Sequence, residues 1–237
     1  MPGHVDRRQR SNGGFRQAEC MNNLCTVPYS RGYHNLYIRP LTPLGCAAEE
    51  WERVGYSAAE YLQFYTAILD DLFSRCNAGN LVTETTASIY PKRILLNESV
   101  GHTEFRSPCG AAVGQMAINY DGQVYTCDEG RMLANMGDNT FCLGDVDNTY
   151  EELVSSPAAH AACTSSCVET LPLCCNCAYH PFCSVCPVVT YSTENDLVAH
   201  DADNYHCAIA KGILRYLFKR IKEADEDELE ILFKCAR

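Results

Sequence analysis

The residues best suited to chemistry in this chain are cysteines, and their spacing says what kind. Sixteen occur in 237 residues, and the densest group, Cys174, Cys177, Cys183 and Cys186, has the spacing C-x2-C-x5-C-x2-C. Cys109 and Cys127 precede this group, with Gly122 between them, and Cys207 follows it. Each thiolate offers one soft negative sulfur, and short turns aim several at one point, which suits a soft metal centre. Structural zinc takes four tetrahedral ligands from two C-x2-C pairs, usually about a dozen or more residues apart. Here only five residues separate Cys177 from Cys183, and cysteines remain in excess. A redox C-x2-C pair opens a helix in a βαβ setting, which is absent around these residues. Iron–sulfur coordination uses three or four closely spaced cysteines with a remote partner. That description fits, and about eight candidate thiolates predict two clusters.

Composition excludes several classes. A net charge of −11 opposes nucleic-acid binding, which needs a basic footprint, and is a poor match for an anionic membrane surface. No run approaches the roughly 20 apolar residues that span a bilayer. Arg7, Arg8, Arg10 and Arg16 make the N-terminus basic, but no apolar stretch follows, so a secretory signal is not expected. The cysteines therefore read as thiols in a reducing, cytoplasmic setting rather than as a disulfide framework. Residues 1–30 are polar and without period, and Cys20 and Cys25 within them are expected to be plain thiols. The same is expected of Cys46, Cys76, Cys142, Cys175 and Cys235.

The elements that would position the cysteines follow from pattern. His34 to Arg39 alternates polar and apolar and predicts a strand, which Pro40, Pro43 and Gly45 turn into a loop. Ser57-Ala-Ala-Glu60 is a capping box, and Tyr61, Tyr65, Ile68, Leu69 and Leu72 continue at helical spacing until Gly79. A second helix is expected over 84–96, with Pro91 breaking or kinking it. Gln115–Tyr120 and Gln123–Cys127 flank Asp121-Gly122, a strong hairpin signal, so antiparallel pairing can bring Cys109 and Cys127 together. Residues 128–147 read as loop, Thr149–Ser155 as a short helix, and 174–186 as irregular backbone that something other than a ladder must fix. An apolar face at Ile209, Ile213, Leu214, Leu217 and Ile221 predicts a helix from about Tyr205, with Gly212 a mild cost. Asp225 to Glu230 predicts the solvated first turn of a last helix.

The pattern Cys109-x12-Gly122-x4-Cys127, gap, Cys174-x2-Cys177-x5-Cys183-x2-Cys186, gap, Cys207 resembles the SPASM domain of radical S-adenosylmethionine enzymes. That domain follows a partial (β/α)6 barrel and carries auxiliary [4Fe–4S] clusters; most members modify ribosomally made peptides or proteins. Ser107-Pro108-Cys109-Gly110-Ala111-Ala112, Tyr125 to Met132, and Cys183-Ser184-Val185-Cys186-Pro187-Val188 are similar to the B-type radical maturase of His-Xaa-Ser peptide systems. Two features depart from the family. The spacing from Cys183 to Cys186 is x2 where the family has x3, and no C-x3-C-x2-C triad for the S-adenosylmethionine cluster occurs. Cys163-x3-Cys167 is followed by Thr170 where the third cysteine would stand.

The resemblance implies an α+β fold: a remnant of the C-terminal end of the barrel (31–104), a SPASM domain (105–210) and a helical extension (211–237) after the irregular 1–30. It implies an outer [4Fe–4S] cluster on Cys174, Cys177, Cys183 and Cys207, and an inner one on Cys109, Cys127 and Cys186. Relatives place a fourth inner ligand shortly after the first cysteine, where this chain has Gln115. Cys167, or less readily Cys163, is the expected replacement; otherwise one iron is open to substrate or a small ligand. Asp128, Glu129 and Arg131 are expected to touch the cluster surroundings or substrate. The implied partners are a precursor peptide or protein and, for S-adenosylmethionine chemistry, the complete enzyme or a separate barrel subunit. A non-catalytic iron–sulfur or zinc module that recruits a peptide or protein is the alternative.

Overall fold

A computed structural model describes residues 34–198 and 204–235. The expected irregular segment 1–30, with Cys20 and Cys25, lies outside them, as does the side chain of Cys235. The predicted first strand is shorter than its alternation suggests: β1 (Asn35–Leu36) pairs in parallel with β2 (Thr83–Glu84). Beyond Leu36 the chain leaves the ladder, because the Ile38 N–H donates to the Glu84 carboxylate at 3.0 Å. Two short helices, α1 (Cys46–Glu49) and α2 (Trp51–Val54), follow the expected Pro40–Gly45 loop.

The Ser57–Glu60 capping box is present and opens α3 (Ala58–Asn77). Next, α4 (Thr85–Leu96) starts directly from β2 and runs through Pro91. Glu84 explains the abrupt start. Its buried carboxylate caps α4 by accepting the Ala87 N–H at 2.8 Å, and it also accepts the Tyr65 hydroxyl and the Ile38 amide. Three donors let an acidic group sit in the core. Burial nonetheless raises its pKa.

The predicted hairpin forms as β3 (Ala117–Ile118) and β4 (Gln123–Tyr125), with Gly122 at φ +86° in the turn. The region 128–147 is not the expected loop. It holds α5 (Asp128–Asn135) and β5 (Cys142–Asp145), which completes an antiparallel sheet in the order β3-β4-β5. The start of α5 is hidden in sequence because its N-cap is Cys127, outside the usual Ser, Thr, Asp and Asn set. The short helix expected over Thr149–Ser155 forms as α6 (Tyr150–Val154), opened by a capping box at Thr149. Next come α7 (Pro157–Ser165) and, after the cysteine-rich turns, α8 (Pro187–Glu194). Pro187 reads as a breaker in sequence, yet it sits at the first helical turn, where a missing N–H costs nothing.

The chain closes with α9 (Tyr205–Glu223) and α10 (Glu226–Cys235), whose acidic first turn is the predicted one. The stripe Ile209, Ile213, Leu214 and Leu217 packs on Tyr61, Tyr65, Ile68, Leu69 and Leu72 of α3 to form the larger core. Gly212 is more than a mild cost here: a Cβ would come within 2.3 Å of Leu62 Cδ1, so its absence lets α9 lie close on α3. A second core, with Cys109, Cys127, Leu133, Phe141 and Val188, joins the hairpin to α5, α7 and α8.

Arg93 of α4 joins the two halves. Its guanidinium donates to the carbonyls of Phe105 (2.9 Å), Phe182 (3.0 Å) and Pro181 (2.7 Å), two of which belong to the cysteine-rich turns. Hydrogen bonds from a charged donor contribute about 1.5–3 kcal/mol. Arg93→Met is therefore expected to lower unfolding stability by about 1.5–3 kcal/mol in denaturant titration. Arg93→Lys should recover only part, since an ammonium cannot span three carbonyls in a planar fork.

Candidate metal centres

Two neighbouring cavities receive the cysteines. The larger, about 130 Å³, is lined by Cys109, Cys127 and Cys186; the smaller, about 50 Å³, by Cys174, Cys177, Cys183 and Cys207. Ser184 and His206 line both, so one layer of side chains separates them.

Local structure explains how distant cysteines converge on the larger cavity. Cys109 precedes the hairpin, and its buried N–H donates to Ser166 Oγ at 3.0 Å, which fixes it to the end of α7. Cys127 leaves β4 and caps α5, its Sγ accepting the Gly130 N–H at 3.4 Å. Cys186 is the residue before α8. Backbone amides reach all three sulfurs: Ala111 for Cys109, Gly130 for Cys127 and Val189 for Cys186. Such N–H contacts favour thiolate and tune a bound cluster.

Burial works in the opposite direction. It raises the Cys109 thiol, pushes Cys127 to about 12 and drives Cys186 well above the usual thiol range, where Cys127, Glu129 and Cys109 add repulsion. In the smaller cavity burial takes Cys183 to about 12, with Cys207, Cys174 and Cys177 adding to it. Cys174 is likewise raised, by burial and then by Cys207 and Cys177. Redox-active or nucleophilic thiols need the reverse, a depressed pKa. Buried thiols that repel one another as anions become favourable ligands once a cation neutralises them.

Among the described residues no three His, Cys, Asp or Glu side chains crowd closely enough to hold a single metal ion. Around one tetrahedral zinc, bonds of about 2.3 Å place sulfurs about 3.8 Å apart. Seven thiols line the two cavities. The donor sets fit iron–sulfur clusters, four thiols in one cavity and three in the other.

The remaining sequence-derived residues divide. Glu129 lines the larger cavity and faces Arg39 at 3.8 Å. Asp128 and Arg131 do not; they pair with each other at 2.6 Å on the surface of α5. Cys167 lines neither cavity, and its thiol donates to Glu169 Oε2 at 3.3 Å. Cys163 lies on α7 and is the last and weakest influence on Cys109, also outside both linings. Pattern reading did not single out Tyr37 and Glu104. The Tyr37 hydroxyl donates to Glu104 at 3.1 Å, Arg39 pairs with Glu104 at 3.1 Å, and all three edge the larger cavity. Neither Tyr37 nor Glu104 belongs to a spaced motif, so no spacing signal could have found it.

No protein-family model matches the chain, and no curated protein matches it. Solved structures do. The chain is similar to native anSMEcpe with bound AdoMet, an anaerobic sulfatase-maturating enzyme and a SPASM radical SAM enzyme, with a TM-score of 0.63 at 18% identity. It is similar to the same enzyme with AdoMet and the Cp18Cys peptide (TM-score 0.64, 20% identity), and with the Kp18Cys peptide (0.62, 18%). These matches cover 92% of this chain and 55–56% of theirs. The chain thus spans about half the length of these enzymes and has the mixed helix–sheet fold of that half.

One local constraint can be tested directly. A Cβ on Gly130 would meet Phe141 Cβ at 3.0 Å and Thr126 Oγ1 at 2.9 Å. Gly130→Ala should therefore displace the first turn of α5 from Cys127 and cost about 1–3 kcal/mol, as overpacking does, measured by thermal or denaturant unfolding.

Proposed function

We propose that this chain is the auxiliary iron–sulfur portion of a radical S-adenosylmethionine maturase acting on a peptide or protein. In this reading 31–104 is the end of the barrel and 105–210 the SPASM domain, with two [4Fe–4S] clusters. The outer one is held by Cys174, Cys177, Cys183 and Cys207, and the inner by Cys109, Cys127 and Cys186. The observation that carries the proposal is the partition of seven thiols into two adjacent cavities, four and three. The fold likeness to enzymes with bound AdoMet and peptides supports it. The Ser107–Ala112, Tyr125–Met132 and Cys183–Val188 runs support the narrower assignment to the B-type maturase of His-Xaa-Ser systems.

When bound, such clusters accept and pass single electrons. The chain's own residues supply the surroundings: amides of Ala111, Gly130 and Val189 toward the inner sulfurs, and Ser184 and His206 between the two sites. Arg39, Glu104, Glu129 and Tyr37 form the polar edge where a peptide would enter.

Anaerobically isolated protein should contain about eight irons and eight sulfides per chain, as two four-iron clusters require. A colourless protein with one or two zinc ions would overturn the reading. S-adenosylmethionine cleavage needs a third cluster, and the sequence has no C-x3-C-x2-C triad to hold it. With dithionite, the chain alone should release no 5′-deoxyadenosine above a control without protein. Robust release would show that the cysteines are wrongly assigned.

A further inference from the structure

The segment that holds the cavity cysteines is also the acidic pole of the chain. From 107 to 210 it has thirteen Asp and Glu but one Lys or Arg, Arg131, which is already paired with Asp128. The hairpin tip sets part of that charge beside exposed apolar groups. Asp121 accepts the Gln123 N–H at 3.1 Å, Gln123 stands opposite Asp145 in the ladder, and Asp145 accepts the Asp147 N–H at 3.0 Å. Val146 is tied to the same turn by its N–H, which donates to Gly122 O at 2.9 Å. Ile118, Tyr120 and Val146 are 65%, 94% and 58% exposed. Strand β3 is an edge of the sheet; α5 packs across the strands, and α6 and α7 lie on β5 at the far side. The Asn119 N–H donates to Gln123 O at 2.9 Å, which makes these two a hydrogen-bonded pair. Ile118 and Val124, one step along, are then a pair of the other kind, and the Ile118 N–H and C=O point outward from the edge.

Resting on the function proposed above, we infer that the edge of β3 is a docking strand for an extended, basic segment of the precursor peptide, which adds to the sheet beside Ile118. In such β-addition the edge peptide groups supply main-chain hydrogen bonds, and alternate side chains supply specificity. Free edges are ordinarily guarded by Lys, Pro or a bulge, whereas β3 offers Ala117 and Ile118. Position selects the occupant. Just before β3 stands Gln115, in the wall of the larger cavity, and the other end of the strand leads to the acidic tip. A peptide laid along β3 therefore has one end near the cavity and the other among Asp121, Asp145 and Asp147. At about 3.3 Å per residue, its Lys or Arg would lie about five residues from the one at the cavity. Charge selects the occupant too, because carboxylates with no cation of their own segment to pair with attract a basic partner and repel an acidic one. A second copy of the chain fits less well, since two tips brought edge to edge would oppose carboxylate to carboxylate.

The test uses the full chain, reconstituted anaerobically with iron and sulfide, with iron counted in every sample. The probe is a short fluorescent peptide of alternating Val and Lys, and the comparison peptide has Glu in place of Lys. Anisotropy should show binding of the Lys peptide, weakened by added salt, and none of the Glu peptide. Hydrogen exchange in the fragment containing Ala117–Tyr120 should slow when the Lys peptide is bound. Asp121→Asn combined with Asp147→Asn should weaken binding about 2- to 30-fold, as the loss of two exposed ion pairs does. Ile118→Lys should remove binding while leaving iron content unchanged, and Ile118→Pro, which deletes the outward N–H, should do the same. An iron-loaded chain that does not bind the Lys peptide would overturn this inference alone. Equal binding of the two peptides would overturn the charge preference, and binding unchanged in both Ile118 variants would overturn the location. A dimer in sedimentation that Ile118→Lys converts to monomer would give the edge to a second copy and overturn the choice of occupant. Binding of the Lys peptide by a chain that takes up no iron would leave the β3 edge as a peptide site and overturn the function on which its role rests.

Discussion

The architecture depends on how an irregular, cysteine-rich backbone is held without a ladder of its own. Residues 174–186 contain turns and a single 3₁₀ turn at His180–Phe182; the Cys174, Cys177 and Tyr179 carbonyls are bonded within the segment, whereas those of Pro181 and Phe182 take partners from elsewhere. Arg93 provides them, reaching across from α4 to Pro181, Phe182 and Phe105 at once. Because α4 starts from β2 through the Glu84 cap, the position of the cysteine turns is set by the parallel strand pair. Ser107 and Glu169 add a second fastening, in which Ser107 Oγ bonds the Glu169 carboxylate and accepts the Val168 N–H at 3.1 Å.

This arrangement has a consequence for the two sites. Cys183 and Cys186 are three residues apart yet face different cavities, with Ser184 in the wall of both. A single short segment therefore contributes a thiol and a shared wall residue to both cavities. The adjoining His206 comes from the start of α9, next to Cys207, so the large helical core also carries a wall of both cavities. Stability of the α3–α9 core and geometry of the sites are linked through that helix.

Electrostatics separates the sites from ordinary buried thiols. Cys76 is also buried, but it belongs to the α3 core and its thiol donates to the Val82 carbonyl at 3.5 Å. The cavity cysteines instead face one another, and burial and mutual repulsion together oppose their ionisation. Backbone amides at Ala111, Gly130, Val189 and Ser184 offset part of this. Groups so arranged hold a cation better than they perform thiol chemistry.

Sequence alone determined much that is local. The Ser57 and Thr149 capping boxes, the Asp121-Gly122 hairpin, and the helical stripe from Ile209 to Leu217 are legible because one short stretch contains the whole physical cause. The grouping of cysteines was legible through spacing and family resemblance, and the seven that line cavities were all among those singled out. Tertiary structure decided the rest. A Cys N-cap concealed α5, and Pro187, a breaker by sequence, takes the first turn of α8. Cys167 is close to the dense loop in sequence, yet α7 and the turn after it direct its thiol to Glu169. Gln115 and Glu104 reach the larger cavity only because the hairpin and the segment before it fold over Cys109. Spacing along a chain fixes which side chains can be near one another; the direction in which each one points is settled by packing with distant residues.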